Sequence, residues 1–231
     1  LIEEAESNDA VKAIVIEINS PGGSPVGSSE IAYAVKNADK PTVAWVREYG
    51  ASGGYWVASA ADHVVVHPLS ITGSIGVYGS YLEFSGLMEK YNVSYQRMVA
   101  GEHKDTGSPL RPLSGSEERM LQIKLDKMHA IFIAAVAENR NLSYGEVAKV
   151  ADGMYLLGEE AVSAGLADEL GGRDEVRKHL EGVLGENITF DYVREEHSFF
   201  DSLNSMVSSH GYAIGQGVSQ GVMNQEYMVR I

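Results

Sequence analysis

The chain has 231 residues and a formal net charge of −14, from 18 Lys plus Arg against 32 Asp plus Glu. Its 44% hydrophobic and 22% charged residues make a globular rather than a disordered mix, and the acidity argues against a nucleic-acid partner, which needs clustered Lys and Arg. The absence of Cys excludes disulfides, thiolate zinc sites and Cys nucleophiles, and no apolar run reaches the roughly 18 residues of a membrane span.

The chain opens at Leu1 rather than Met, inside what reads as a helix, which points to a segment preceding it. Residues 11–18 are rich in Val and Ile and predict a buried strand. Asn19-Ser20-Pro21-Gly22-Gly23 then predicts a turn that no strand contains. A helix is expected over 28–38, a second buried strand over 41–46, and a short helix over 55–61 after Gly50-Ala51-Ser52-Gly53-Gly54. A third strand over 64–66 precedes the tight loop Thr72-Gly73-Ser74-Ile75-Gly76. Residues 81–91 read as a helix, 93–99 as a fourth strand, and 101–113 as a polar loop. Ser114 and Glu117 spell a capping box, and Leu121, Leu125, Met128, Phe132 and Val136 form one stripe of the long helix that follows. Ser143 and Glu146 spell a second box. Helices over 158–164 and 174–184 flank an extended piece at 166–170. Strands alternating with helices, apolar on both faces, predict an α/β fold with a mostly parallel sheet. Residues 1–190 read as one domain and 191–231 as a C-terminal tail, with an amphipathic helix over 198–207.

Three loops at the ends of expected strands carry the unusual residues, and open α/β sheets form their ligand crevice there. Gly50-Ala51-Ser52-Gly53-Gly54 has the spacing of a nucleophile elbow, and equally that of a glycine-rich turn with a Ser cap. Pro21-Gly22-Gly23 is either a plain turn or a backbone N–H offered to an oxyanion. Lys104, between Gly101 and Gly107, is either a solvated surface charge or a general base whose burial lowers its pKa. A Ser–His–Asp arrangement on Ser52 is the competing hydrolase, with Asp168 and either His179 or His197 in the right order. His63 and His67 fall in a strand and read as structural, and His179 reads as solvent-facing. A crotonase-like acyl-CoA enzyme would use the same glycines without Ser52, and a non-catalytic scaffold would use none of these residues.

Taken together, five segments resemble the signal peptide peptidase A family, serine–lysine peptidases of the S49 class. They are Asn19 to Gly23; Ala51-Ser52-Gly53-Gly54-Tyr55; Thr72 to Val77; Gly101-Glu102-His103-Lys104-Asp105 with Ser108-Pro109; and Ala151-Asp152-Gly153 with Gly165 to Gly171. The resemblance spans about residues 8–190 and implies a crotonase/Clp-protease-like fold lacking its first strand. It implies Ser52 as nucleophile, Lys104 as general base, Gly23 and Gly53 as the oxyanion hole, and Ser74 as the residue that aims the lysine. It implies no metal and no cofactor. Short hydrophobic peptides, such as remnant signal peptides, would be the substrates. A single-repeat short form implies a homo-oligomer in which Ser52 and Lys104 pair within one subunit or between two. It also implies a single-pass N-terminal membrane anchor ahead of an extracytoplasmic catalytic domain. Trp56 departs from the family pattern, where a smaller residue is expected, and would narrow the pocket.

Overall fold

A computed structural model describes residues 1–192. A short helix α1 (Ile2–Ser7) leads into β1 (Ile14–Ser20), α2 (Pro25–Lys36), β2 (Thr42–Ala51), α3 (Gly53–Ser59), β3 (His63–Val66) and β4 (Ile71–Gly73). An exposed arm carrying α4 (Ser85–Lys90) precedes the long α5 (Gly115–Asn139). The chain continues through α6 (Tyr144–Ala148), β5 (Tyr155–Leu156), α7 (Gly158–Ser163), β6 (Glu169–Leu170) and α8 (Arg173–Leu184).

The six strands among the described residues form one sheet with β2 at its centre. β2 pairs in parallel with β1 along one edge. Its other edge pairs with β3 over residues 43–46 and then with β4 over 49–51. Ser70 fills the gap between these two ladders, because its hydroxyl donates to the Arg47 carbonyl and accepts from His67 N–H. β6 adds to β3 in parallel, and among the described residues only β5 runs antiparallel, against β4.

Side chains alternate across the pleat. Ile14, Ile16 and Ile18 of β1, Ala44 and Val46 of β2, and Val64 and Val66 of β3 share a core with α2, α3, α5 and α7. Val15, Val43 and Val65 face the other way, onto Val176 and Leu180 of α8. Helices thus cover both faces, which is why these strands read as continuous apolar runs rather than as alternating ones.

The sequence reading needs several corrections. Residues 93–99 form no strand; the segment is mostly exposed, and no neighbouring strand offers it a ladder. The helix expected over 81–91 contracts to α4. β1 runs on through Asn19 and Ser20, because β2 extends beyond residue 46 and Gly50 pairs with Ser20. α2 begins earlier than residue 28: Ser24 caps it by accepting from Gly27 N–H, and Pro25 occupies the first turn. Both capping boxes form, on α5 and on α6. The apolar stripe of α5 is buried at Phe132 and Val136, but Met128 is exposed, so the N-terminal half of this helix projects beyond the core. The expected helix over 198–207 lies outside the described residues.

Candidate active site

Ser52 sits between the end of β2 and the start of α3, with φ 51° and ψ −123°. Non-glycine residues avoid this region, so the surroundings must enforce it. The β2/β4 ladder runs one step past the strand, with Ser52 N–H donating 2.7 Å to the Gly73 carbonyl. On the other side the Ser52 carbonyl accepts from Trp56 N–H at 2.9 Å, inside the first turn of α3. The turn between strand and helix is therefore pinned on both sides, and the Ser52 side chain makes no cap bond to α3.

The Pro21-Gly22-Gly23 loop lies directly against this turn. A Cβ at Gly22, whose φ is +128°, would stand 2.9 Å from Ser52 Cβ and 3.2 Å from both Ser52 Oγ and Gly53 N. One point of space beside Gly22 is thus within reach of the serine oxygen and of a backbone N–H, as an attacked carbonyl carbon and its oxygen require. A Cβ at Gly53 would lie 3.0 Å from Gly23 N, so these two backbone groups are neighbours. Neither Gly23 N–H nor Gly53 N–H has an acceptor among the described residues. Close approach of three chain segments, rather than turn formation alone, is what requires glycine here. Sequence reading gave roles to Gly23 and Gly53 and none to Gly22, whose backbone packs directly on the Ser52 side chain.

Ser74 also has a left-handed backbone, φ 49°, and its hydroxyl donates 2.9 Å to the Gly153 carbonyl. A Cβ at Gly76 would touch Gly153 Cα at 2.9 Å, so the Thr72–Gly76 and Ala151–Gly153 segments pack on each other. Lys104 is exposed. Its ammonium makes no hydrogen bond or ion pair among the described residues, with Ser52 and Ser74 included. The structure brings Ser52, Gly23 and Gly53 together within one chain; it does not join Lys104 to them.

The residues after Lys104 are tied down. The Asp105 carboxylate accepts from Arg97 at 2.7 and 2.8 Å and from Arg111 at 2.9 and 3.0 Å. Arg111 also donates to Glu117 at 2.6 and 2.9 Å. Arg97 first, then Arg111, holds the Asp105 carboxyl well below the usual carboxylate range. Arg111, followed by Ser114 N–H and Thr106, does the same for Glu117. Sequence reading missed this network; its only signal was two Arg and two acidic residues spaced through an otherwise polar loop.

The histidines fall elsewhere. His63 pairs with Val43 at the start of the β2/β3 ladder, nine residues short of Ser52. At about 3.3 Å per residue that separation is roughly 30 Å. The His63 ring stacks on His179 with centroids 3.7 Å apart, so His179 is not a freely solvated surface group. Asp168 accepts from Val64 N–H and Arg140 at this same far end. Asp168 and His179 therefore cannot complete a triad on Ser52, and His197 lies outside the described residues. Trp56 stacks on Phe132 of α5 at 4.7 Å, so its bulk serves the packing of α3 on α5.

A strand-to-helix serine lies beside two glycine N–H groups without acceptors among the described residues, on the mostly parallel α/β sheet of a ClpP/crotonase-like fold. The model of peptidase family S49 matches residues 34–185, and the chain belongs to that family. "Putative protease MJ0651" of Methanocaldococcus jannaschii is 35% identical over 98% of this chain and 73% of its own length. "Putative signal peptide peptidase SppA" of Enterococcus faecium is 32% identical over 87% of this chain and 60% of its own. "Protease 4" of Haemophilus influenzae is 31% identical over 80% of this chain, which spans 31% of that relative. Among the described residues no helix is long and apolar enough to cross a membrane.

Proposed function

We propose that this chain is a serine endopeptidase in which Ser52 attacks a peptide carbonyl and Lys104 is the general base. The observation that carries the proposal is the strained Ser52 turn, held against two backbone N–H groups without acceptors among the described residues. Ser52 Oγ adds to the carbonyl carbon while the Lys104 amine takes its proton. Gly23 and Gly53 N–H donate to the oxyanion, the lysine returns the proton to the leaving amine, and water then hydrolyses the acyl-enzyme.

Lys104 acts in this proposal on Ser52 of a neighbouring copy. Its unpartnered, exposed amine supports this, as does the arm that carries it, whose Tyr78, Leu82, Leu87, Tyr91 and Met98 are exposed. Such an apolar surface suits contact between subunits. Ser74, which here donates to Gly153, would accept from the incoming ammonium. Short hydrophobic peptides, remnant signal peptides among them, are the substrates expected from the family resemblance and from the name of the Enterococcus faecium relative. Membrane attachment belongs to the same proposal, through a segment outside the described residues.

Two variants test it. A peptidyl phosphonate should label Ser52 in the wild-type chain, and both Ser52→Ala and Lys104→Ala should be inactive alone. Co-assembled, the two variants should regain activity, because one supplies the serine and the other the lysine. Full activity of Lys104→Ala would refute the base; two inactive variants with no recovery on mixing would refute sharing between copies and leave a dyad within one chain.

A further inference from the structure

We propose that Asp105 is a positioning residue for Lys104, and that Arg97, Arg111 and Glu117 join it in an ionic mount fixing the lysine loop to the N-terminus of α5. The inference rests on the Ser52–Lys104 reading.

The loop around Lys104 has little else to hold it. Residues 101–104 are exposed, and the left-handed Gly101 and Gly107 bound a run of turns. The turn bonds are local: Lys104 N–H to Gly101 O, Thr106 N–H to His103 O, and Ser108 N–H to Asp105 O. Such solvent-exposed bonds open easily. A lysine side chain is itself a flexible four-carbon stem, so a base placed this way needs a fixed Cα.

The mount supplies that fixed point. Asp105 follows Lys104 directly, and two forked guanidinium groups grip its carboxylate. Forked pairs fix direction as well as distance. Arg111 carries the connection to Glu117, which is buried and closes the capping box of α5. Thr106 reaches the same carboxylate directly at 2.9 Å. The two residues after Lys104 are thus both tied to one acid on a long helix. Isolated exposed ion pairs contribute little to stability, so what this convergent arrangement provides is orientation.

It also disposes of a charge. A free Asp105 carboxylate beside Lys104 would favour the ammonium form and disable the base. Arg97 and Arg111 engage it instead, and with Glu117 the four groups sum to zero. The remaining polar side chains nearest Lys104 on the loop, Glu102 and His103, lie 3.9 Å from each other.

The test uses the full chain, a chromogenic hydrophobic peptide, and Asp105→Asn, Arg97→Gln, Arg97→Lys and Lys104→Ala variants. Asp105→Asn should lower kcat 10- to 100-fold, with KM within twofold of wild type and the unfolding midpoint unchanged. Arg97→Gln should move the rise of kcat to higher pH, because Asp105 is partly released, and Arg97→Lys should restore much of the original profile. Wild-type kcat in Asp105→Asn, or an unmoved pH profile in Arg97→Gln, would overturn the mount; the Arg97 pair decides if Asp105→Asn does not fold. A fully active Lys104→Ala would overturn the dyad and the mount together, whereas an inactive Lys104→Ala beside an unimpaired Asp105→Asn would overturn the mount alone.

Discussion

Replacing Gly53 by Ala places one methyl group at the junction of three segments. The φ of Gly53 is not positive, so Ala meets no backbone strain there, and intrinsic propensity favours Ala in a helix by about 1 kcal/mol. The cost is steric. The new Cβ would lie 2.2 Å from Ser28 Oγ, 3.1 Å from Ser28 Cβ and 3.0 Å from Gly23 N. Ser28 is buried on α2, and its hydroxyl can rotate only within that packing. Overpacking of this kind costs about 1–3 kcal/mol, so after the propensity gain the net expectation is a loss of up to about 2 kcal/mol in urea denaturation. The Gly23 backbone has no rotamer to change and must move away. If Gly23 N–H is an oxyanion donor, as proposed, displacing it should lower kcat by about 10²- to 10³-fold. Combining Ser28→Gly with Gly53→Ala separates the two effects. The double variant should recover most of the stability, because the shortest contact is gone, and almost none of the kcat, because the Gly23 contact persists. Wild-type kcat in Gly53→Ala, or full recovery of kcat in the double variant, would refute the assignment of Gly23 and Gly53.

Phe132→Ala removes a ring that is 2% exposed and stacked on Trp56; the expected loss is about 3–5 kcal/mol by chemical denaturation, and a loss below 1 kcal/mol would mean that α5 is seated by other contacts. Burial, then the neighbouring His63, lowers the His179 pKa. The unfolded chain therefore binds more protons once pH falls below the ordinary imidazole value of about 6.5, and stability should fall as pH drops through that value. His179→Phe keeps a ring on His63 without the charge, so its thermal midpoints at pH 7.5 and 5.5 should differ less than those of the wild type; an equal difference would place the sensitivity elsewhere.

What the sequence revealed divides by the range of the interactions. The capping boxes at Ser114 and Ser143 are legible because each is closed within four residues. The strand-to-helix turn at Ser52 and the glycines packed against it are legible because so tight a junction demands small residues at fixed spacing. Residues 93–99 mislead, since β-branched and aromatic residues predict extended chain but not a partner to pair with. The end of β1 misleads for the converse reason: Ser20 joins the sheet only because β2 continues to Gly50. The Arg97–Asp105–Arg111–Glu117 network is invisible in sequence because nothing local specifies which charges meet. The stacking of His63 on His179 joins residues from β3 and α8 that no pattern links.

The shape of α5 has a mechanical consequence. Eighteen residues separate Phe132, where the helix is seated in the core, from its cap at Ser114. At 1.5 Å per residue that is a boom of about 27 Å. A tilt of about 5° at the seat would swing the tip by about 2 Å, well beyond the misplacement of about 1 Å that already lowers catalytic rates roughly 100-fold. Under the proposed dyad, the Trp56–Phe132 stack would therefore set the tolerance with which the Lys104 loop, tied to the far end of this helix, is placed. Conservative substitutions at that hinge, which keep a ring in the core, would detune catalysis before they unfold the chain.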